Sequence, residues 1–324
     1  MPQASVNDVE INYRESGEGF PVVLVHGYTG NSRNWALTAP ALAERFRVIS
    51  VDLRGHGSSA KPTSEDAYAL ETMASDVYEL LKNLDVSECA LVGHSMGGMV
   101  SQLLILEHPE MVRALVLVDT AAEVPKGLLY DERRKQRQRL VEIAKKEGME
   151  AVFEEQLKVT PIPEAFKTSP EYIDVWRQQF LMTSREAYIA CATGMSSRRS
   201  LLGDLASITV PTLIICGEHD EPFLEPSRDM HKAVPGSELI IIAGAGHGPQ
   251  METLHLRRPE PGFRLASDGT TASSGIHTAK RTRSRGHEAG GKDELPDGDE
   301  LLEQISGRVY DLLMEELENA FESR

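Results

Sequence analysis

Cysteine is scarce in this sequence. Cys89, Cys191 and Cys216 are odd in number, far apart and set among apolar residues. That suits buried thiols in a reducing compartment better than a disulfide framework. Long apolar runs are missing as well: none approaches the roughly 20 residues needed to cross a bilayer. The opening stretch MPQASVNDVEINYRESG has no basic segment leading into an apolar one, so no secretory signal is expected. Positive charge is in deficit. The 34 Lys and Arg are outnumbered by 50 Asp and Glu, a formal net charge of −16, which argues against nucleic acid as a general partner. The expectation is a cytoplasmic protein away from the membrane.

What is present is an ordinary globular composition, 40% hydrophobic and 26% charged over 324 residues, enough for a large core. Early in the chain FPVVLVHG, FRVISVDLRGHG, ECALVGH and VRALVLVDT are unbroken apolar runs closed by Gly or Asp. Such runs read as parallel strands buried on both faces. Helical patterns separate them, in SRNWALTAPALAERF, LETMASDVYELLKNLD and MGGMVSQLLILEHP. The fold class is therefore α/β, a doubly wound, mostly parallel sheet.

The alternation stops near Thr120 and resumes with VPTLIICGEHD and SELIIIAGAGH. Between them only helical segments occur, including LLYDERRKQRQRLVEIAKKEG, EYIDVWRQQFLM and REAYIACATGM. This predicts a core from residues 1–120 and 204–324 with an inserted helical lid over 121–203, longer than an ordinary loop. Residues 254–298 are rich in Gly, Ser, Thr and Arg and read as a mobile insertion. Its locally basic AKRTRSRGH reads first as a solvated loop; the alternatives are pairing with the chain's own acidic surface or contact with an anionic partner. An amphipathic last helix is expected from about Asp299, with Leu301, Leu302, Ile305, Val309, Leu312 and Leu313 on one face.

One pentapeptide carries chemistry. Gly93-His94-Ser95-Met96-Gly97 falls where a strand turns into a helix. A tight turn there lifts the Ser95 hydroxyl above the sheet, and a Cβ at Gly93 or Gly97 would clash across it. The following helix presents free N–H groups to developing negative charge. With HGYTG and DLRGHGSS before this turn, and GEHD and GAGHG after it, the chain resembles the α/β-hydrolase superfamily. The likeness is to its lid-bearing serine esterases and C–C bond hydrolases, over nearly everything except 254–298.

The resemblance implies roles. His247, after the last strand, would be the base for Ser95, in the order Ser, Asp, His. GAGHGP could suggest a dinucleotide loop, but Pro249 stands at the third glycine position and no helix is expected to begin there. Asp220, closing the penultimate strand, would orient His247; the rival is Asp119, which some relatives use. The oxyanion hole would be the backbone N–H groups of Tyr28 and Met96. His94 is taken as the variable residue of the turn. Asp52, Arg54, His26 and His56 are expected to brace loops. Glu218-His219-Asp220-Glu221 is a poor chelate, because adjacent side chains on an extended strand end point apart, so no metal and no cofactor are expected. Trp176, Phe180 and Tyr188 are candidate pocket walls for a small or medium apolar group.

A serine at position 95 excludes the aspartate-based dehalogenase and epoxide-hydrolase mechanisms. What is implied is hydrolysis of a small-molecule carboxylic ester through an acyl-enzyme. The alternatives are C–C bond (diketone) hydrolysis, cofactor-free perhydrolysis, or a ligand-binding protein on a hydrolase fold.

Overall fold

A computed structural model describes residues 2–36, 38–159 and 170–252. The expected insertion over 254–298 and the last helix beyond it lie outside the described residues. The chain opens with a hairpin of β1 (Gln3–Val6) and β2 (Val9–Ser16), which a search for unbroken apolar runs does not find. Its two-residue turn, Asn7-Asp8, has φ of 45° and 63°. Paired positive φ values suit a tight hairpin, and Asn and Asp tolerate them.

The six apolar runs all form strands: β3 (Pro21–Val25), β4 (Arg47–Val51), β5 (Cys89–His94), β6 (Val112–Val118), β7 (Thr212–Gly217) and β8 (Glu238–Ile242). The sheet order is β1-β2-β4-β3-β5-β6-β7-β8. The two pairings that involve β2 are antiparallel, and every pairing from β4 to β8 is parallel. All carboxyl ends from β3 to β8 therefore point the same way.

Side chains alternate between two cores, as period-two geometry demands. Val23, Val25, Ile49, Leu91, Leu115 and Leu117 face one. There they meet Met73, Val77 and Leu80 of α2 (Leu70–Asn83), and Met99, Val100 and Leu103 of α3 (Met96–Glu107). Val22, Leu24, Val48, Val92 and Val116 face the other, against Trp35, Leu42 and Phe46. The stretch expected to form one helix there divides into a single turn at Ser32–Trp35 and a short helix, Thr38–Leu42. Pro40 explains the break: its missing N–H and its ring fit only the first turn of a helix.

Between β6 and β7 lie four described helices: α4 (Leu128–Glu147), α5 (Met149–Val159), α6 (Pro170–Phe180) and α7 (Arg185–Ser197). They share a cluster of Leu140, Ala144, Phe153, Phe180, Tyr188 and Ala192, with Tyr28 packed against it. α8 (Glu221–Ala233) links β7 to β8 and escaped the pattern search, its apolar periodicity being interrupted by Pro222 and Pro226. One expectation is corrected. A short helix, α9 (Pro249–Glu252), does begin at Pro249, where a proline suits the first helical position because that N–H has no intrahelical partner.

Two glycines test the packing in opposite senses. A Cβ on Gly97 would meet the Val25 carbonyl oxygen at 2.3 Å and that of His26 at 2.5 Å, both backbone atoms. Gly97→Ala should therefore cost about 1–3 kcal/mol in urea unfolding, the usual range for overpacking. Gly194, inside α7, has nothing within 4 Å of such a Cβ, so Gly194→Ala should add about 0.5–1 kcal/mol.

Candidate active site

The site begins with a backbone turn. Ser95 has φ 52° and ψ −115°, an unfavourable conformation for a residue with a Cβ. Neighbouring strands hold it: Ser95 N–H donates to the Val118 carbonyl at 2.8 Å, and Thr120 Oγ1 donates to the Ser95 carbonyl at 2.7 Å. Gly93 and Gly97 are the residues that permit the turn, since a Cβ on Gly93 would lie 2.6 Å from the Gly97 carbonyl oxygen.

The loops after β7 and β8 are laced together. His219 N–H donates to Ala245 O at 2.8 Å, and Gly244 N–H donates to the Glu218 carboxylate at 2.8 Å. That brings Asp220 and His247 side by side. His247 Nδ1 lies 2.6 Å from Asp220 Oδ2, and His247 Nε2 lies 3.0 Å from Ser95 Oγ. Hydroxyl, imidazole and carboxylate thus form one continuous chain. With Nδ1–H donated to the carboxylate, Nε2 is left as an acceptor that can take the hydroxyl proton.

The residues around this chain have their own charge logic. Burial opposes charge on His247, but the Asp220 charge and its hydrogen bond outweigh that and raise the imidazole above its ordinary pKa. Burial likewise works against Asp220, yet the His247 charge and hydrogen bond and nearby Arg133 hold its carboxyl below the usual range. Arg133, on α4, donates to Asp220 Oδ1 at 3.2 Å; its side chain is 43% exposed while that of Asp220 is fully buried. Asp119 is the opposite case. Burial and the adjacent Asp220 push it up to about 8 against the pull of His247. Asp119 Oδ1 accepts from Gly217 N–H at 2.9 Å and does not bond His247. Of the two candidate acids, Asp220 is the one placed on the imidazole.

Sequence reading missed two contributors. His94, taken as merely variable, is buried, and burial first and then neighbouring His247 push its imidazole down to about 3. Neutral, it donates Nε2–H to the His247 carbonyl at 2.7 Å, tying the histidine loop to the serine turn. Arg133 carried no signal beyond a charged helix, because its partner is 87 residues away.

Tyr28 and Met96 follow residues that lie at the turn, Gly27 and Ser95. Met96 opens α3, so its N–H has no carbonyl of its own helix to reach. Tyr28 follows Gly27, where a Cβ would approach Ser95 Cβ at 3.1 Å. Of the candidate pocket walls, Phe180 and Tyr188 are fully buried beside Phe153, and Trp176 meets Phe153 edge-on at 5.2 Å. Tyr188 touches the site loop: its ring stacks on Tyr28 at 5.0 Å and its carbonyl accepts the Tyr28 hydroxyl at 2.6 Å.

The expected braces have built bonds. Asp52 Oδ1 accepts from Ser32 N–H at 2.6 Å, and its Oδ2 from Asn12 and Ser58 at 2.8 Å. Arg54 makes a two-pronged buried pair with Asp76 at 2.5 and 2.6 Å. His26 Nε2 accepts from Leu53 N–H at 3.0 Å, and His56 contacts the Arg54 carbonyl at 3.0 Å. All three cysteines are buried and free. Among the described residues, the potential ligand atoms of Asp119, Cys216 and Asp220 lie within 4.8 Å of one another. This donor set fits a metal poorly. Burial raises the Cys216 thiol, keeping it protonated, and both Asp220 oxygens are already engaged. Among the described residues, no helix is long and apolar enough to cross a membrane.

A family model described as the alpha/beta hydrolase fold matches residues 21–254. The chain belongs to that family. Among solved structures, an esterase from Thermogutta terrifontis is 31% identical with a TM-score of 0.67, over 78% of this chain and 92% of that one. The enol-lactonase from Burkholderia xenovorans is 28% identical with a TM-score of 0.69, over 78% and 94%. A bromoperoxidase from Bacillus anthracis is 26% identical with a TM-score of 0.67, over 76% and 92%. The chain is thus a hydrolase of the alpha/beta fold, whose relatives carry several named activities. Its polar groups gather outside the carboxyl ends of the parallel strands, the usual location of ligand sites in open α/β sheets.

Arg133 gives a test with a definite sign. Its positive charge opposes protonation of His247, so Arg133→Gln should move the His247 titration to higher pH, followed through the imidazole ring resonances by NMR. Arg133→Lys should move it less. Because Arg133 is partly exposed, added salt should shrink the difference between wild type and Arg133→Gln.

Proposed function

We propose that this hydrolase cleaves carboxylic esters of small to medium, largely apolar molecules through an acyl-enzyme. The observation that carries the reading is the unbroken chain from Ser95 Oγ through His247 to Asp220, at 3.0 and 2.6 Å. In the first half-reaction His247 Nε2 takes the Ser95 proton as Oγ attacks the ester carbonyl. The oxyanion is met by the N–H groups of Tyr28 and Met96, donors of a kind that each contribute about 10²–10³ in rate. His247 then returns its proton to the departing alcohol. In the second half-reaction water, deprotonated by His247, attacks the acyl carbon; the acid leaves and Ser95 recovers its proton. Asp220 holds the imidazole in the tautomer that both halves need.

Two features support a covering role for the helices between β6 and β7. α4 reaches the acid through Arg133, and α7 reaches the Tyr28 loop through Tyr188. Groups that touch the relay while Ser95 itself is buried suit a small, partly desolvated substrate. Relatives named as an esterase and an enol-lactonase act, by those names, on open and cyclic esters, which favours acyl transfer over C–C bond cleavage here.

A fluorophosphonate probe and short-chain p-nitrophenyl esters test the reading. The probe should label the folded protein at Ser95, the esters should turn over, and Ser95→Ala should abolish both. Asp220→Asn should lower kcat by roughly 10³–10⁴, whereas Asp119→Asn should cost less than about 10-fold. A folded protein with neither labelling nor turnover would refute ester hydrolysis. Loss on Asp119→Asn rather than Asp220→Asn would refute the choice of acid.

A further inference from the structure

The inward stripe of α4 has an unusual composition. Tyr130, Leu140, Val141 and Ala144 are buried along it, at helical spacing. Positions 133 and 137, which fall on the same stripe, are both arginine. An arginine turned toward the interior requires an anion or a strong acceptor, because a desolvated guanidinium without one is costly. Arg133 has Asp220. Four outward cations of α4 have carboxylates as well: Arg134 has Asp131, Lys135 has Glu132, Arg139 has Glu155 and Lys145 has Glu142.

Arg137 is different. It is half-buried, and among the described residues no carboxylate lies within ion-pair distance of it. Its guanidinium carbon lies 6.0 Å from the centre of the Tyr28 ring, next to Gly27, where a Cβ would approach Ser95 Cβ at 3.1 Å. A cation over an aromatic face gains about 0.5–2 kcal/mol but leaves the guanidinium N–H fork without an oxygen to bond. A second cation makes the neighbourhood more positive. Arg198 is repelled by Arg137 and attracted by Tyr130 and Glu123, and its hydrogen bonds include the carbonyls of Met195, Ala121 and Glu123. In a chain of net charge −16, these two arginines lie close enough to repel each other, and Arg137 lies over the ring of Tyr28.

We propose that Arg137 receives an anionic group of the substrate, so that the preferred ester has an apolar body and a carboxylate at one end. The proposal rests on the ester-hydrolase reading above and adds a substrate class to it. A planar carboxylate matches the guanidinium fork with two parallel hydrogen bonds, which a neutral ester end cannot do. The charges already present do not supply this anion, because Asp220 is shared between His247 and Arg133 and Asp119 is turned to Gly217 N–H.

The test compares matched ester pairs at fixed low salt. One pair is mono-p-nitrophenyl glutarate against p-nitrophenyl pentanoate, with the carboxylate on the acyl side. The other is 3-carboxy-4-nitrophenyl butyrate against p-nitrophenyl butyrate, with the carboxylate on the leaving group. The wild type should favour the carboxylated member of at least one pair by about 10- to 100-fold in kcat/KM, chiefly through KM. Arg137→Gln should reduce that ratio at least 10-fold, Arg137→Lys should restore part of it, and added salt should erode it. No preference in either pair, or a preference that survives in Arg137→Gln, would overturn the proposal. Calorimetric titration with glutarate alone separates this outcome from failure of the ester reading. If Ser95 is not labelled and no ester turns over, tighter glutarate binding by wild type than by Arg137→Gln would still uphold the anion site, and equal binding would reject it.

Discussion

The structure hangs on one strained turn. Ser95 occupies a positive-φ conformation that an L-residue avoids, at the junction of a fully buried strand and a largely buried helix. Such strain persists only where the surroundings over-determine it. Here they do so from two directions. The backbone on both sides of Ser95 is bonded to the end of β6 and the residue just beyond it, and Gly97 presses against the end of β3. The hydroxyl is therefore held in place before any substrate arrives. In the proposed reaction, positioning of this kind would supply rate without reorganisation at the moment of attack.

From that turn the other polar groups follow as a chain of compensated charges. His247 needs Asp220 to keep one tautomer. Asp220, buried among strands, needs more than one positive partner, and finds the second in Arg133 of the helical segment. Asp119, close enough to feel Asp220, is pushed up by burial and by that neighbouring charge rather than competing for the imidazole. His94 is kept neutral by the same burial and spends its single N–H on the His247 backbone. Each of these states depends on the one beside it. The linked polar groups and the helices that border them are accordingly one electrostatic unit.

Much of this was legible from the residues. Six unbroken apolar runs, each closed by Gly or Asp, became six parallel strands, because a strand buried on both faces has no polar alternative. Ser95, Asp220 and His247 stood at strand ends in an order that put them at one edge of the sheet. Local signals failed where a proline cut the period, as at Pro40, Pro222 and Pro226, and where strands alternate with polar residues, as in the N-terminal hairpin. The helix beginning at Pro249 was missed because a four-residue element carries no periodicity.

By itself the sequence determined the layered α/β architecture and the strand-to-helix turn that carries Ser95, because both follow from local pattern: buried period-two runs and glycines at 93 and 97. Only the tertiary structure decided which aspartate meets His247, that His94 grips its loop, and that two arginines of one helix turn toward the site. Those outcomes depend on distances between residues 27 to 153 positions apart. No local rule of propensity or spacing reaches that far. Burial and charge balance across the assembled sheet do.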